Sequence, residues 1–394
     1  MENIINGIAT DAKIITPQDD HHYFFAYYDM RATGENGKHL CHRVPFFDRN
    51  PNADDVAELG YLDDGKFIKF AETTAWNFQQ GAMLQYHPYL ENTVYYNVCE
   101  DGKFMTVTHN IATGEKKYAD RATACISPDG KWGLAVNFGR IFAFRPGYGY
   151  AGFEDKYADT NAPEEDGVFL VDMESGRSKQ IVTYKALQAI SGFADDDKIL
   201  INHITFNTTS DKFLMLVRCF PKADRPGWTT SVIISDRDGN IYPLLKNTYF
   251  SHYHWRNSDE FVAHCTVEGD RKSMYIINVV TGKWEEHDMP YFRERLANNR
   301  NCDIHCCFSP DGKYIIGDGY YAKADPYRHL MAYNVSTKES RLMLSSFDDD
   351  PDKWGDMRCD LHARFVWGGS HISFDTTCNG KREIALISAD SLNF

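Results

Sequence analysis

The stretch HCCFSPDGKYIIGD, residues 305–318, decides the fold, because its order of histidine, aromatic residue, turn and apolar strand recurs in this chain. The same order begins at His203, His252 and His362, each with Phe or Trp three residues later. The intervals of about 50 residues match the length of one four-stranded blade of a β-propeller. Each unit therefore predicts one blade, with the histidine near the start of its innermost strand.

Three earlier units repeat the turn and the strand without the histidine. With them, the units begin near residues 30, 83, 123, 203, 252, 305 and 362. The sequence therefore predicts an all-β, seven-bladed β-propeller that forms a single domain over residues 1–394. A pair of β-sandwiches is the alternative, but it does not explain a turn motif that recurs with a histidine in a fixed place.

The interval between the third and fourth units is long enough to contain an eighth blade. Residues 139–166 within it are rich in Gly, Pro and Asp and lack strand alternation, so we interpret them as an inserted loop. Helical signal is scarce and is found in short segments at 185–190 and 291–299. At the other end, KREIALIS, residues 381–388, is typical of the third strand of the last blade. We expect residues 11–16 to supply its outermost strand and to remove an open edge.

The charge balance limits the classes of partner. The chain has 42 Lys and Arg against 56 Asp and Glu, which gives a formal net charge of −14. Because no basic field attracts phosphates, we expect neither a nucleic-acid partner nor a membrane partner. No apolar run approaches the roughly 20 residues that span a bilayer. The N-terminal segment MENIINGIATDAKIITP lacks a Sec-type signal, which indicates a cytoplasmic protein.

Equivalent positions in successive blades form a ring around the central channel, so the four repeated histidines should converge there. Such a ring suits either a metal or active-site cluster or a hydrogen-bonded channel lining. The last two units share the longer motif Cys-Asp-x-His-x-x-Phe, at 302–308 and 359–365. Imidazole and carboxylate groups suit Mn²⁺, Zn²⁺ or Fe²⁺. Alternatively, the aspartates orient the histidines as hydrogen-bond acceptors.

These features resemble the seven-bladed propeller polysaccharide lyases, above all oligogalacturonate lyase, with the ulvan lyases as more distant relatives. The resemblance rests on the SPDGK turns at 127–131 and 309–313, on the inner-strand histidines, and on RCDLHARF at 358–365. It covers most of the chain through the repeats and is specific in the last two blades. It implies a lyase that cleaves an acidic, uronate-containing oligosaccharide by β-elimination.

The resemblance also implies a divalent metal held by histidines of adjacent late blades and a glutamine. His305 and His362 match two of those ligands. The second histidine of the family pattern is Arg364 here, and its glutamine is Cys359. The chain therefore either uses another set, His252, His305 and His362 with His203 in the same register, or holds no metal. Mn²⁺ and Zn²⁺ are the expected ions.

A uronate lyase neutralises the substrate carboxylate, removes the C5 proton and protonates the leaving glycosidic oxygen. Ulvan-type propellers use two histidines about twenty residues apart, together with a Tyr and an Arg. By this resemblance His22 and His42 have the spacing, with His21 or His39 as the alternative match, and Arg43 follows His42. The inserted loop adds Arg145 and Tyr148. We expect His22, His42, Arg43, Arg145 and Tyr148 to be catalytic, although Arg43 could be a solvated strand end.

Substrate binding is expected from two segments. Arg140 and Tyr150 belong to the inserted loop, which could form a lid and a sugar-stacking surface. Trp76, Asn77 and Gln80 form a dense polar and aromatic run before a channel strand, typical of sugar sites. A structural interpretation is open for the second segment, with Trp76 in the core and the amides capping a turn.

Two other functions are compatible with the same fold. A glycoside hydrolase would use paired carboxylates, for which Asp29, Asp48, Asp303 and Asp360 are available. A non-catalytic propeller would bind a partner protein through its exposed surface.

Overall fold

A computed structural model describes residues 3–287, 289, 303–319, 325–348 and 355–394. Its strands form seven sheets around a central channel, which confirms the predicted all-β, seven-bladed propeller. The expected helix at 291–299 lies outside the described residues, whereas the one at 185–190 is present. No helix in the described ranges is long and apolar enough to cross a membrane.

The chain begins with two short strands, β1 (Ile4–Asn6) and β2 (Lys13–Ile14), which join the last two blades. The first blade then follows, with its strands in order from the channel outward. They are β3 (His22–Phe24), β4 (His39–Val44), β5 (Ala57–Asp63) and β6 (Lys66–Thr73). The second blade is β7 (Gln85–Tyr86), β8 (Thr93–Glu100), β9 (Lys103–Asn110) and β10 (Lys116–Tyr118).

The third blade contains a helix between its second and third strands. It consists of β11 (Thr123–Ile126), β12 (Trp132–Ala135), α1 (Phe138–Phe144), β13 (Gly167–Asp172) and β14 (Ser178–Thr183). Helix α2 (Tyr184–Ser191) leads to the fourth blade, which is β15 (Ile199–Phe206), β16 (Lys212–Cys219), β17 (Thr230–Asp236) and β18 (Ile241–Thr248).

The last three blades have the same plan. The fifth is β19 (Phe250–Trp255), β20 (Glu260–Cys265), β21 (Ser273–Asn278) and β22 (Trp284–His287). The sixth is β23 (Ile304–Phe308), β24 (Tyr314–Gly319), β25 (Tyr327–Asn334) and β26 (Ser340–Phe347). The seventh is β27 (Arg364–Val366), β28 (His371–Thr376) and β29 (Glu383–Ser388).

The N-terminal strands complete the last two blades. Strand β2 pairs with β29, with Lys13 opposite Leu386, and is the outermost strand of the seventh blade. This pairing is the one expected for residues 11–16. Strand β1 pairs with β26, with Ile4 opposite Ser346, and adds a fifth strand that the repeat did not predict. One N-terminal segment therefore covers two sheet edges.

The inserted segment contains α1 where the sequence analysis expected only loop. The helix begins after Asn137, whose Oδ1 accepts a hydrogen bond from the backbone N–H of Arg140 at 2.9 Å. Its buried residues include Phe138 and Ile141, three positions apart on one face. Among the described residues, the segment holds no strand of an eighth blade.

The inner strands place His203, His252 and His305 against the channel, and His362 lies just before β27. Register shifts interrupt the β15–β16 pairing between Ile201 and His203, and the β19–β20 pairing between Phe250 and Tyr253. Such bulges redirect side chains and are frequent beside functional sites. The connection between β3 and β4 contributes Ala26, which adopts a φ of 100° beside the histidines.

Candidate metal centre

The four repeated histidines are all buried and converge on the channel. The ring centroids of His252 and His305 lie 4.1 Å apart, and those of His305 and His362 lie 4.5 Å apart. Tyr27 separates the fourth histidine, because its ring lies 5.1 Å from His203 and 4.9 Å from His362. The repeat predicted one cluster of four, whereas the structure has a cluster of three, with His203 on the other side of Tyr27.

Three buried side chains, His305, Asp360 and His362, form a group with the spacing of metal ligands. Asp360 Oδ2 lies 3.7 Å from His305 Nε2 and 3.8 Å from His362 Nε2. Donors that bind one ion at about 2.1 Å lie at most about 4.2 Å apart. One ligand atom from each of the three lies within 4.8 Å of the others, so closing the group around an ion needs only a small shift.

Hydrogen bonds orient these histidines as ligands. His362 Nδ1 lies 3.0 Å from the carbonyl oxygen of Ala26, which can only accept, so the neutral ring has its lone pair on Nε2. That buried Nε2 has no hydrogen-bond partner among the described residues. His305 Nδ1 lies 3.3 Å from Asp318 Oδ2. A carboxylate or carbonyl behind each ring is the usual support of metal-binding histidines, so the group fits a divalent ion.

The aspartate of each Cys-Asp-x-His motif reaches the histidine of the preceding blade. Asp303 Oδ1 lies 2.9 Å from His252 Nδ1, and Asp360 approaches His305. The two aspartates therefore have different roles. Asp303 orients His252, whereas Asp360 adds a carboxylate to the candidate ligands His305 and His362. These three residues form the metal group. The predicted set of His252, His305 and His362 changes accordingly, because His252 lies beside the group and Asp360 belongs to it.

Basic groups cover one side of the histidines. Arg358 Nε lies 2.7 Å from Asp360 Oδ2, so a bound metal would share this oxygen with Arg358 or displace the guanidinium. Arg358 Nη2 also donates to the hydroxyl of Tyr148 at 3.2 Å. The guanidinium of Arg145 lies 4.1 Å above the Tyr148 ring and pairs with Asp356 at 3.1 Å. Arg145 and Tyr148 are therefore brought near the metal group.

Arg218, at the end of β16, adds a third guanidinium. Its side chain is buried and has no carboxylate within ion-pair distance among the described residues. Nε donates to Thr230 Oγ1 at 3.3 Å. Burial and, to a smaller extent, the neighbouring Arg145 lower the pKa of Arg218 to about 10. A buried cation without a counter-ion is costly, so this position favours an anionic ligand.

The first-blade residues predicted to be catalytic have other contacts. His42 is fully buried, with Nδ1 3.3 Å from the Phe24 carbonyl oxygen and Nε2 accepting from the Ala82 N–H at 3.0 Å. Burial lowers its pKa to about 4. His22 Nδ1 accepts from the backbone N–H of Arg382 at 3.2 Å. Since both nitrogens of His42 bond to backbone groups, we assign it to the core and not to catalysis.

The contacts of Arg43 also do not support the catalytic role expected for it. Its Nε donates to Glu58 Oε2 at 2.5 Å, and Lys69 Nζ binds the other oxygen of Glu58 at 3.0 Å. Its guanidinium lies 4.6 Å from the centre of the Phe67 ring. These partners belong to the outer strands β5 and β6, so the structure places Arg43 in a network of the first blade and not with the histidines.

Two inserted-segment residues predicted to bind substrate are structural. Arg140 is fully buried, and its guanidinium makes five hydrogen bonds, to Asp155 and to four backbone carbonyl oxygens. All five of its N–H donors are used. Tyr150 is also fully buried and stacks on Phe138, with ring centroids 4.1 Å apart. Neither side chain can contact a sugar, so the prediction was wrong for both.

The 73–88 segment follows the structural interpretation. Trp76 is buried and donates to the Asp55 carbonyl oxygen at 2.7 Å. Asn77 Oδ1 accepts from the N–H of Gln80 at 2.7 Å and therefore caps a turn. Gln79, which belongs to the same polar and aromatic run, donates to the carbonyl oxygen of Arg358 at 3.1 Å. Gln79 thus holds the segment just before β27 that carries Asp360 and His362, and it is buried like Trp76, Asn77 and Gln80.

Sequence analysis missed three residues of the site. Arg358 precedes the second Cys-Asp-x-His motif directly, so its neighbours could have indicated it. Tyr27 lies in a run of aromatic residues just before the first repeat. Arg218 has no recognisable signal, because it comes from the second strand of its blade and reaches the site only through the fold.

No protein-family model and no curated protein matches the sequence. Solved structures do match the fold. An oligogalacturonate lyase in complex with manganese superposes with a TM-score of 0.66 at 15% identity, over 97% of this chain and 94% of the other. The oligogalacturonate lyase of Vibrio parahaemolyticus gives a TM-score of 0.62 at 17% identity, over 98% and 96%.

A third structure, the GH74 xyloglucanase of Xanthomonas campestris, gives a TM-score of 0.50 at 11% identity, over 90% of this chain and 52% of the other. At these identities the matches show the fold alone. The chain is therefore similar in fold, over nearly its whole length, to oligogalacturonate lyases.

Proposed function

We propose that this protein is a lyase that cleaves uronate-containing oligosaccharides by β-elimination, with a divalent metal in its site. The observation that carries the proposal is the His305, Asp360 and His362 group beside three guanidinium groups. The fold, shared with oligogalacturonate lyases, supports the same reaction. The ligand with the matching chemistry is an acidic oligosaccharide.

The donor set suits the expected metal. Two imidazoles and one carboxylate are ligands for Mn²⁺ or Zn²⁺. The related oligogalacturonate lyase was solved with manganese, which favours Mn²⁺ here. When bound, such an ion would neutralise the uronate carboxylate and make the C5 proton acidic. The resembling family has a glutamine and a second histidine as ligands where this chain has Cys359 and Arg364. In this chain Asp360 supplies a ligand in their place.

The arginines are suited to hold the carboxylates of the substrate, Arg358 that of the uronate whose bond is cleaved and Arg145 and Arg218 that of a neighbouring unit. Arg358 and Arg218 are buried, and Arg145 lies over Tyr148 at the rim. Guanidinium groups bind carboxylates in two-pronged geometry, which fixes the uronate ring as well as its charge. A carboxylate held this way presents its C5–H in one orientation to the neighbouring side chains.

Proton transfer falls to His252 and Tyr148. His252 lies beside His305 and is oriented by Asp303, so we assign to it the removal of the proton from C5. The Tyr148 hydroxyl, which accepts from Arg358, can donate its own proton to the leaving glycosidic oxygen. His203, paired with Asp29 at 3.0 Å, is a further carboxylate-oriented imidazole, but it lies behind Tyr27.

The hydrolase alternative finds less support. An inverting or retaining hydrolase needs one carboxyl group protonated. Asp303 and Asp360 are held by His252 and Arg358, and these basic partners favour the ionised form of each carboxyl group. Asp29 pairs with His203. Asp48 is exposed. We therefore do not propose hydrolysis.

The test is incubation with a panel of acidic oligosaccharides, including di- and trigalacturonate, in the presence of Mn²⁺. Elimination creates an unsaturated uronate that absorbs in the ultraviolet, whereas hydrolysis does not. We expect absorbance to grow with wild-type protein and to be lost in His252→Gln. His109→Gln, a buried histidine of the second blade, is the matched control. New reducing ends without absorbance would contradict the proposal.

A further inference from the structure

Trp228 lies at the rim of the site with 44% of its surface exposed, in the 220–229 connection between β16 and β17. Phe144 of α1 packs against it at 71°, with ring centroids 5.4 Å apart, and covers only part of the indole. A single exposed aromatic ring is ordinary at a protein surface, and Trp284 is exposed to a similar extent, so the exposure alone does not distinguish Trp228. This tryptophan was not among the residues that the sequence singled out.

Two guanidinium groups flank the indole. Arg145 lies 5.7 Å and Arg218 lies 5.9 Å from its ring. Sugar rings stack on indoles through their C–H faces, while guanidinium groups bind carboxylates. An exposed indole between two cations therefore matches an acidic sugar and not a neutral one.

A line of contacts connects the indole to the metal group. It goes from Arg145 to Tyr148, then to Arg358 and finally to Asp360. Several side chains therefore separate the indole from the metal ligands. The indole is therefore placed to contact a sugar unit next to the one at the metal group, and not that unit itself.

We propose that Trp228 is a stacking platform for a uronate unit next to the one whose bond is cleaved, with Arg145 and Arg218 receiving its carboxylate. This inference rests on the proposed function. Because the platform touches a sugar that does not react, it stabilises the bound substrate and the transition state equally. Its loss should therefore raise KM and leave kcat unchanged.

The experiment compares Trp228→Ala and Trp228→Phe with Trp284→Ala. Trp284 is the matched control, since it is 40% exposed on the outermost strand of the fifth blade. With trigalacturonate as substrate, we expect KM to rise about tenfold in Trp228→Ala and much less in Trp228→Phe, which retains an aromatic face. Trp284→Ala should behave as wild type. A fall in kcat at unchanged KM, or equal effects in both alanine variants, would overturn the platform.

A second readout does not need turnover. Trigalacturonate should quench the tryptophan fluorescence of wild type and of Trp284→Phe but not of Trp228→Phe, and neutral maltotriose should quench none. If no protein forms the ultraviolet-absorbing product, the lyase proposal fails, yet the quenching still decides the platform. Equal quenching in both phenylalanine variants, or quenching by maltotriose, would refute an acidic-sugar platform at Trp228.

Discussion

The ability of His362 Nε2 to bind a metal depends on the hydrogen bond that Nδ1 makes. The Ala26 carbonyl fixes the lone pair on Nε2, beside His305 and Asp360. We expect His362→Ala and His305→Ala to lose metal binding, because the loss of one of three protein ligands leaves a weak, open site. His203→Ala should retain it, because His203 lies behind Tyr27. Titration with MnCl₂ by calorimetry measures this, and full affinity in His305→Ala would refute the ligand set.

Two arginines of the inserted segment are expected to differ in role, Arg140 in stability and Arg145 in substrate binding. Arg140 is buried with Asp155, so Arg140→Met strands a buried carboxylate and should cost about 3–5 kcal/mol of unfolding free energy. Arg145 is partly exposed in its pair with Asp356, so Arg145→Met should cost about 1 kcal/mol or less but raise KM for oligouronates. Urea unfolding and steady-state kinetics separate the two. The reverse pattern would show that the roles are exchanged.

The sequence could not distinguish these arginines. Both lie in one Gly- and Pro-rich segment, and what differs is the set of partners that the fold supplies, such as Asp155 and four carbonyl oxygens for Arg140. The histidines were predictable because a repeat places equal positions at equal places in each blade. The structural role of His42 was not predictable, because its spacing from His22 does not show which backbone groups bond to its ring nitrogens.

At the scale of elements, one carboxylate anchors the loop that carries Trp228. Asp197 Oδ1 binds Arg225 Nη2 at 2.7 Å and Lys222 Nζ at 2.8 Å. The hydrogen bond from Arg225, more than any other contact, lowers the pKa of Asp197 to about 2. A lowered folded-state pKa adds stability that is present above about pH 4 and is lost as the pH falls toward 2.

We therefore expect Asp197→Asn to cost about 1 kcal/mol at pH 7, since both cations are partly exposed and solvent screens them. The difference from wild type should shrink as the pH falls from 4 toward 2. Urea unfolding across this range measures it. Asp238→Asn, in an exposed turn of the same blade, is the control. A pH-independent difference would show that the charge of Asp197 does not act through these ion pairs.

The sequence predicted those strands and helices for which the local residue pattern and the blade repeat agree. Blade strands and α2 follow from alternation, turn residues and the period. Helix α1 was missed because Gly and Pro around it suggested loop, while its cap at Asn137 and its apolar face at Phe138 and Ile141 are short signals. Strand β1 was missed because the repeat requires four strands per blade, and only the fold shows that β26 has a free edge.

For the whole molecule, the repeat predicts the ring of blades, and the apolar faces between adjacent blades form its core. It does not predict what closes the channel. Tyr27 and Tyr28 enter from the first blade and contact the histidines of later blades. The site therefore depends on contacts between the two ends of the chain, which no local pattern encodes.

Closure of the ring should accordingly control the site. Strand β2 completes the seventh blade and β1 extends the sixth, while Asn3 Nδ2 donates to the Cys378 carbonyl oxygen at 2.7 Å. These two blades carry His362 and His305. Deletion of residues 1–16 exposes both edges, so we expect a lower Tm, weaker Mn²⁺ binding and association of copies through the open edges. Deletion of residues 1–7 removes only β1 and should have a smaller effect. Calorimetry, MnCl₂ titration and light scattering measure the three effects, and unchanged metal affinity in the longer deletion would show that the metal group does not depend on closure.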